Sequence, residues 1–379
     1  MSDPPVQRAV AVVDDGAVAR NCARLRRELR GGAVLCAVVK ANGYGHGALP
    51  CARAALEGGA SWLAVAAAAE AAELRGELVE VPILTMGALT VAELDVALRA
   101  ASDVAVWRPE FAELLAARGA ELGMRPRAHV KYDTGMGRLG TRDAEAAVAL
   151  VEQVAGDDRL ELAGLWTHFA TADEPASAFF AEQLERFTAV VERVRQEHPR
   201  LLVHAANSAA TLRDPAAHFD MVRCGIAIYG LDPFHQDPAA RELDPALELR
   251  SYVADVKRFP RGASAGYGRR WRAPEDTWVG VLPIGYGDGV RRGLSNNAEV
   301  LVRGARHPLV GTVSMDNLTI DLGPRTDVEP GTSAVLIGAQ GGDRILSEEV
   351  ARRLGTINYE VMCGISPRVP RVHVRREMT

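Results

Sequence analysis

The 379-residue chain is 48% hydrophobic and 25% charged, which is typical of a folded protein and leaves room for two domains. Its net charge of -5 and pI near 6.0 give no basic field for nucleic acid or an anionic membrane, so we expect a small-molecule ligand. Without a visible secretion signal or membrane-spanning run, the sequence predicts a cytoplasmic protein. Five dispersed cysteines predict free, mostly buried thiols and no metal site.

Short apolar strands alternate with helical patterns between residues 34 and 230, as in repeated βα units. The stretches between the strands carry apolar residues at helical spacing. Eight strands predict a (β/α)8 barrel of the TIM type: Leu35–Val39, Trp62–Val65, Pro82–Leu84, Val104–Val106, Arg127–Lys131, Leu162–Trp166, Leu201–His204 and Met221–Val222.

The pattern changes after about residue 244, where strand-like runs dominate. One helix is predicted there, Glu348–Leu354, with Ser347 as its N-cap and Gly355 as its end. We therefore expect an α/β protein with a barrel domain over residues 1–243 and a mainly-β domain over residues 244–379. The predicted strands of the second domain are Leu247–Val256, Trp278–Leu282, Ala298–Arg303, Val310–Val313 and Ala334–Ile337.

Lys40 directly follows the first buried strand, so it lies at the carboxyl end of the barrel, where such folds carry their sites. Gly43, Gly45 and Gly47 follow and allow a tight turn close to a ligand. A lone lysine in this context is more often solvated than catalytic. The functional alternative is a partly desolvated amine that attacks an aldehyde, for which pyridoxal phosphate (PLP) is the usual cofactor.

Other polar residues follow strands in the same way: Lys131, His168, Asn207 and Arg223. Because the carboxyl ends of parallel barrel strands meet at one mouth, we expect these residues to converge with Lys40. Any one of them alone would be weak evidence, but the set together indicates a site.

The segment Val38–Gly47 closely resembles the PLP-lysine segment of the alanine racemases. Further blocks similar to that family follow in the same order along the chain, at 131–140, 167–173, 204–211, 223–230, 283–289, 311–316 and 357–363. The resemblance implies a PLP-dependent homodimer that interconverts L-alanine and D-alanine and, in a bacterium, supplies D-alanine for peptidoglycan.

The resemblance also assigns cofactor contacts. It implies that Lys40 carries PLP and that Arg223 faces the pyridine nitrogen, where many PLP enzymes place a carboxylate. Since a guanidinium cannot accept a proton, the ring would be a weaker electron sink, which suits simple proton exchange. The remaining implied contacts are the phosphate-binding hydroxyls of Tyr44, Ser208 and Tyr359, the N–H groups of Gly225 and Ile226, and the side chains of His168 and Asn207.

Racemisation needs acid/base groups on both faces of the substrate Cα. By resemblance these are Lys40 and Tyr267, the tyrosine reaching the site from the partner subunit. His168 and Arg223 would lie behind the phenol and lower its pKa.

Substrate contacts are implied as well. Arg138 and the backbone N–H of Met315 would bind the substrate carboxylate, and Tyr286 and Asp316 would line the entry. Lys131 corresponds to a lysine that in many members carries a carbamate, which would pair with Arg138. Tyr132 departs from the small apolar residue associated with this place.

Three alternatives remain open from the sequence. A racemase acting on serine as well as alanine fits the same residues. A fold-related PLP amino-acid decarboxylase is disfavoured by Arg223, because an acidic group is expected at the pyridine nitrogen. A catalytically idle PLP-binding barrel is disfavoured by the second domain, which carries Tyr267 and Met315.

Overall fold

A computed structural model describes residues 7–376 and divides them into two compact units. The barrel unit comprises residues 18–44 and 48–228. The β unit comprises the described residues up to 17, residues 45–47 and those from 229 onward, and it contains the first strand, Val10–Asp14 (β1). The predicted boundary at residue 243 divides the chain differently, because β1 pairs with strands of the second half rather than with the barrel.

The barrel unit is a closed barrel of eight parallel strands in chain order, so the predicted fold class is confirmed. The last barrel strand, which carries Arg223, closes the barrel by pairing with the first barrel strand, where Cys36 lies opposite Arg223. Most of these strands are buried on both faces, which explains their continuous apolar runs. Their bounds are Val34–Val38 (β2), Trp62–Val65 (β3), Ile83–Thr85 (β4), Asp103–Val106 (β5), Arg127–Lys131 (β6), Glu161–Trp166 (β7), Leu202–His204 (β8) and Met221–Cys224 (β9).

Helices connect the barrel strands, and local capping explains several of their starts. Thr90 and Glu93 form a capping box before Val91–Arg99, and the Asp143 carboxylate accepts from the N–H of Ala146 at the start of Ala144–Ala155. The α-helices up to residue 213 are Asp15–Glu28, Ala48–Glu57, Ala68–Glu77, Val91–Arg99, Pro109–Glu121, Ala144–Ala155, Phe179–Glu197 and Ser208–Arg213.

The β unit is built on a ten-stranded sheet and a separate two-stranded hairpin. The bounds of its strands are Leu247–Tyr252 (β10), Asp255–Phe259 (β11), Ser264–Ala265 (β12), Trp271–Arg272 (β13), Thr277–Leu282 (β14), Glu299–Val302 (β15), Ala305–Val310 (β16), Leu318–Gly323 (β17), Ser333–Gln340 (β18), Asp343–Ile345 (β19) and Arg371–Val374 (β20). The order along the sheet is β11-β14-β17-β16-β15-β18-β10-β1-β20, and β19 pairs with β18. The hairpin consists of β12 and β13.

Several local predictions in this unit were wrong. The predicted strand 247–256 is two strands with different partners, and the run 310–313 is mostly loop, since its strand ends at Val310. Ser347 is the first residue of the helix Ser347–Leu354 and Leu346 is its N-cap; the Ser347 hydroxyl donates to the adjacent Glu348 carboxylate. Gly355 ends the helix in a left-handed conformation, as predicted, and a second helix follows at Asn358–Cys363.

The sequence also predicted mostly buried thiols and no membrane-spanning run. All five cysteines are outside disulfide bonds; four are buried, as expected, and Cys363 is exposed. Between residues 7 and 376, every helix is too short or too polar to cross a bilayer.

Candidate active site

The chain leaves β2 through an unusual turn that begins at Lys40. Five consecutive residues have positive φ: Ala41 (52°), Asn42 (51°), Gly43 (62°), Tyr44 (52°) and Gly45 (85°). Residues with a side chain rarely adopt this conformation, so surrounding bonds must hold it. The Glu70 carboxylate accepts from the N–H of Ala41 at 2.6 Å, and the Asn42 side chain accepts from the N–H of Ala48 at 2.9 Å. The turn therefore fixes the backbone of Lys40 at the carboxyl end of the barrel.

Arg223 lies on β9, the strand next to β2, and is only 3% exposed. Its guanidinium donates to His204 Nδ1 at 2.8 Å, to the carbonyl of Thr167 at 2.8 Å and to that of Ala205 at 3.0 Å, and it reaches His168 Nδ1 at 3.3 Å. Burial lowers the pKa of Arg223 to about 10, which still leaves it protonated at neutral pH. The site thus contains a rigid buried donor that cannot act as a base.

Hydrogen-bond donors and hydroxyls meet around Gly225. The Ser208 hydroxyl accepts from the N–H of Gly225 at 3.0 Å and from that of Ala227 at 3.3 Å. A Cβ atom on Gly225 would overlap the Tyr44 hydroxyl and lie 2.8 Å from its Cζ atom, so the glycine lets the phenol reach this backbone. Asn207 caps the helix that starts at Ser208 by accepting from the N–H of Ala210. Such a cluster is suited to an anion.

Lys131 ends β6 and is 2% exposed, with its Nζ atom 4.2 Å from the centre of the Trp166 ring. Burial, helped by the positive charges of Arg223 and Arg138, lowers the pKa of Lys131 to about 7. Arg138 itself lies exposed in the following loop. That loop is ordered by Asp133, whose carboxylate accepts from two backbone N–H groups within it.

Residues from separate strands influence one another here. The pKa of His168 is held well below its usual value, mainly because the ring is buried. Positive charges lower it further; they belong to Arg223, Lys131, Arg138 and Lys40. His168 is therefore neutral, and with Nδ1 facing the Arg223 guanidinium its proton lies on Nε2. Lys40, Lys131, Arg138, His168 and Arg223 are therefore close enough to influence one another electrostatically.

The other predicted residues lie in the β unit. Tyr267 is 72% exposed in the turn between β12 and β13, and the Thr312 hydroxyl donates to its carbonyl at 2.8 Å. Met315 is 52% exposed, and its carbonyl accepts from the N–H of Gly287, next to the exposed Tyr286. Three large apolar side chains are therefore open to solvent on the loops of this unit.

Tyr359 lies half-buried in the helix Asn358–Cys363, and buried polar groups hold the start of that helix. The Asn358 amide donates to the Asp232 carbonyl and to the Glu348 carboxylate, both at 2.9 Å. The position of Tyr359 is therefore fixed by neighbours within its own unit.

Sequence reasoning missed several residues around Arg223 and Lys40. Glu70 supports the turn after Lys40, and His204 accepts from Arg223. His129 and Asp103 lie deeper in the barrel and bond each other at 2.9 Å. The sequence does contain one indication of these residues, a polar residue inside a strand that is otherwise buried. In Arg127–Lys131, for example, His129 lies between apolar Ala128 and Val130.

Tyr132, which departs from the resemblance, is 6% exposed, and burial raises the pKa of its phenol. It packs directly after Lys131 as a neutral, largely buried side chain. Its size is thus accommodated inside the barrel unit.

Comparison with known proteins gives a consistent result over both units. Residues 13–233 match the family described as "Alanine racemase, N-terminal domain", and residues 246–373 match "Alanine racemase, C-terminal domain". The alanine racemase of Symbiobacterium thermophilum is 42% identical over 364 residues, 96% of each chain. That of Geobacillus stearothermophilus is 43% identical over 374 residues, 97% of this chain and 94% of the relative. The solved alanine racemase from Streptomyces coelicolor A3(2) superposes with a TM-score of 0.92 at 39% identity, covering 97% of this chain and 98% of that one.

Proposed function

This chain belongs to the alanine racemase family, and from that premise we propose that it interconverts L-alanine and D-alanine with PLP as cofactor and Lys40 and Tyr267 as its two acid/base groups. The observation that carries the proposal is the pair Lys40 and Arg223. They come from neighbouring barrel strands, one beginning a strained turn at the strand end and the other buried with a fixed guanidinium.

The barrel unit has donors suited to PLP. Because Gly225 has no side chain, the hydroxyls of Tyr44 and Ser208 can lie next to its backbone. These hydroxyls and the nearby backbone N–H groups would hold the phosphate. Ile226 would add its N–H, Asn207 and His168 would contact the cofactor, and Tyr359 would add a third hydroxyl. When bound, PLP supplies an aldehyde that forms a covalent bond with an amine and a ring that withdraws electrons from the Cα–H bond.

Lys40 would hold the cofactor and then, once its amine is free, move a proton at one face of the substrate Cα. Tyr267 would move the proton at the opposite face. A phenol with a pKa near 10 needs help at neutral pH. Neutral His168 can offer its Nε2–H to the phenol oxygen, which stabilises the phenolate.

Arg223 would donate to the pyridine nitrogen and leave it unprotonated, because a guanidinium gives no proton at neutral pH. That limits how far negative charge spreads from Cα into the ring. It favours immediate return of a proton over competing reactions at other atoms. A decarboxylase function is correspondingly less well supported.

The substrate carboxylate would be bound by Arg138 and by the backbone N–H of Met315, with Tyr286 and Asp316 at the entry. Lys131 with a pKa near 7 has enough neutral amine to react with CO2. The resulting carbamate would turn a repulsive lysine into an anionic partner for Arg138.

We further propose that the active enzyme is a homodimer in which a β domain, residues 244–379, completes the site of the partner's barrel domain, residues 1–243. The exposed side chains of Tyr267 and Met315 support this, because apolar groups of this size are normally covered in an assembly. The reaction would take place in the cytoplasm and supply D-alanine for peptidoglycan.

The test uses the three lysines of the sequence, Lys40, Lys131 and Lys257. Borohydride reduction of the purified enzyme followed by peptide mass analysis should find the pyridoxyl group on Lys40. Labelling of Lys131 or of exposed Lys257 instead would refute the assignment. Loss of optical rotation from pure L-alanine, compared with L-serine and L-lysine, tests the substrate. Racemisation of alanine alone is expected, and equal activity on serine would favour the broader racemase.

A further inference from the structure

A chain of buried hydrogen bonds runs from Arg223 through the barrel interior. Arg223 donates to His204 Nδ1 at 2.8 Å, and His204 Nε2 lies 2.9 Å from His129 Nδ1. His129 Nε2 lies 2.9 Å from the Asp103 carboxylate. Both histidines are fully buried, and Asp103 is 4% exposed. The chain thus connects β9, β8, β6 and β5 within the barrel unit.

Only one arrangement of protons satisfies all three bonds. Arg223 can only donate, so His204 must accept at Nδ1 and carry its proton on Nε2. That proton is donated to His129 Nδ1, so His129 carries its own proton on Nε2 and donates it to Asp103. Burial, together with the charge of Arg223, holds the pKa of His204 well below its usual value, in agreement with a neutral ring.

Packing holds both imidazole rings in this orientation. The Trp166 ring stacks on His204 with centroids 5.6 Å apart, and Trp62 contacts His129 edge-on at 5.8 Å. A Cβ atom on Gly164 would collide with His129 Nδ1 and lie 2.8 Å from its Cε1 atom. A glycine in the middle of β7 therefore leaves room for the ring. The rings cannot rotate freely to exchange their donor and acceptor atoms.

Asp103 is itself anchored at the far end of the chain. The Arg127 guanidinium donates to both of its oxygens at 3.1 Å and also pairs with Glu161. A carboxylate can only accept, so Asp103 requires the same direction of hydrogen bonds from the far end of the chain that Arg223 requires from the near end.

We propose that Asp103 is a positioning residue of the racemase: it fixes the tautomers of His129 and His204, and His204 in turn holds Arg223 as a donor toward the pyridine nitrogen. The proposal rests on the proposed PLP site. An amide in place of Asp103 leaves one acceptor oxygen for the two donors Arg127 and His129, and when that oxygen faces Arg127 alone its NH2 group faces His129. His129 would then carry its proton on Nδ1, His204 would carry its own on Nδ1, and that proton would face the Arg223 guanidinium. Two donors would oppose each other, and Arg223 would shift.

The test compares Asp103→Asn with Glu161→Gln, which removes a carboxylate from the same Arg127 but lies outside the chain of bonds. In Asp103→Asn holoenzyme, kcat for alanine should fall about ten-fold with KM little changed, because a hydrogen bond involving a charged group is weakened. The apparent PLP dissociation constant should rise by a similar factor, and the visible absorption of bound PLP should shift. In Glu161→Gln all three should stay within about two-fold of wild type.

Tautomers provide a second measurement that needs no folded variant. Long-range ¹H–¹⁵N correlation spectra of the histidine-labelled wild-type enzyme should show Nε2–H for His129 and His204. A proton on Nδ1 of either ring would overturn the proposal. The proposal would also be overturned if Asp103→Asn matched Glu161→Gln in cofactor absorption, PLP affinity and kcat. Asp103 would then contribute to stability alone. If wild-type enzyme neither bound PLP nor racemised alanine, the proposed function would fail, whereas the tautomers would still be readable.

Discussion

Lys131 should carry a carbamate in the working enzyme, because its pKa is lowered from 10.5 to about 7 by burial and by the charges of Arg223 and Arg138. At pH 7 about half of the amine is then neutral, against roughly 0.03% for an ordinary lysine. Neutral amine is the form that adds CO2. The neutral fraction of the amine should therefore exceed that of an ordinary lysine by about three orders of magnitude.

The assay is ¹³C NMR of the enzyme with ¹³C-labelled bicarbonate. One carbamate resonance should disappear in Lys131→Met and persist in Lys257→Met, the matched control. Removing bicarbonate should raise KM for alanine about ten-fold, since Arg138 loses a charged partner. A spectrum without any resonance that depends on Lys131 would refute the reasoning.

The same pKa predicts how stability depends on pH without bicarbonate. The unfolded chain keeps the Lys131 proton up to pH about 10.5, whereas the folded chain releases it near 7. Because the unfolded state binds more protons between these values, the free energy of unfolding should rise with pH across that window. Denaturant unfolding of Lys131→Met should lack this increment, and an identical pH profile in the two proteins would contradict the pKa.

Two further predictions concern the cofactor and the assembly. Gly225→Ala places a Cβ atom against Tyr44, so absorbance titration should show PLP affinity reduced at least about ten-fold, whereas Gly76→Ala, with open space around it, should bind normally. Mixing Lys40→Ala with Tyr267→Phe should restore activity through hybrid dimers that contain one intact site. Verified subunit exchange without recovered activity would mean that each site is made within one chain.

The barrel was predictable because its strands are buried on both faces and leave continuous apolar runs, such as Trp62–Val65. The β unit was harder. In Leu247–Val256 the sequence stays apolar through the bend that separates two strands, and the sheet partners of β1 lie more than 200 residues away. Sequence pattern carries no information on such pairing.

Some residues of the candidate site were predictable from the sequence and others were not. Lys40 and Arg223 were found because each follows or ends an apolar strand in a recognisable block. Asp103 and His129 were not, since they are 26 residues apart and His129 is 75 residues from His204. Only closure of the barrel brings these polar groups together.

The central claim is that Lys40 and Tyr267 work on opposite faces of Cα, and solvent deuterium exchange in Tyr267→Phe tests it most directly. The family resemblance assigns D-alanine to Lys40 and L-alanine to Tyr267. Exchange of Cα–H should therefore survive for D-alanine and fall for L-alanine by about 10²–10⁴, the usual cost of losing one general acid/base group. Net racemisation should fall in both directions, as equilibrium requires. Equal loss of exchange from both enantiomers would contradict the account, because Tyr267 would then support binding rather than proton transfer.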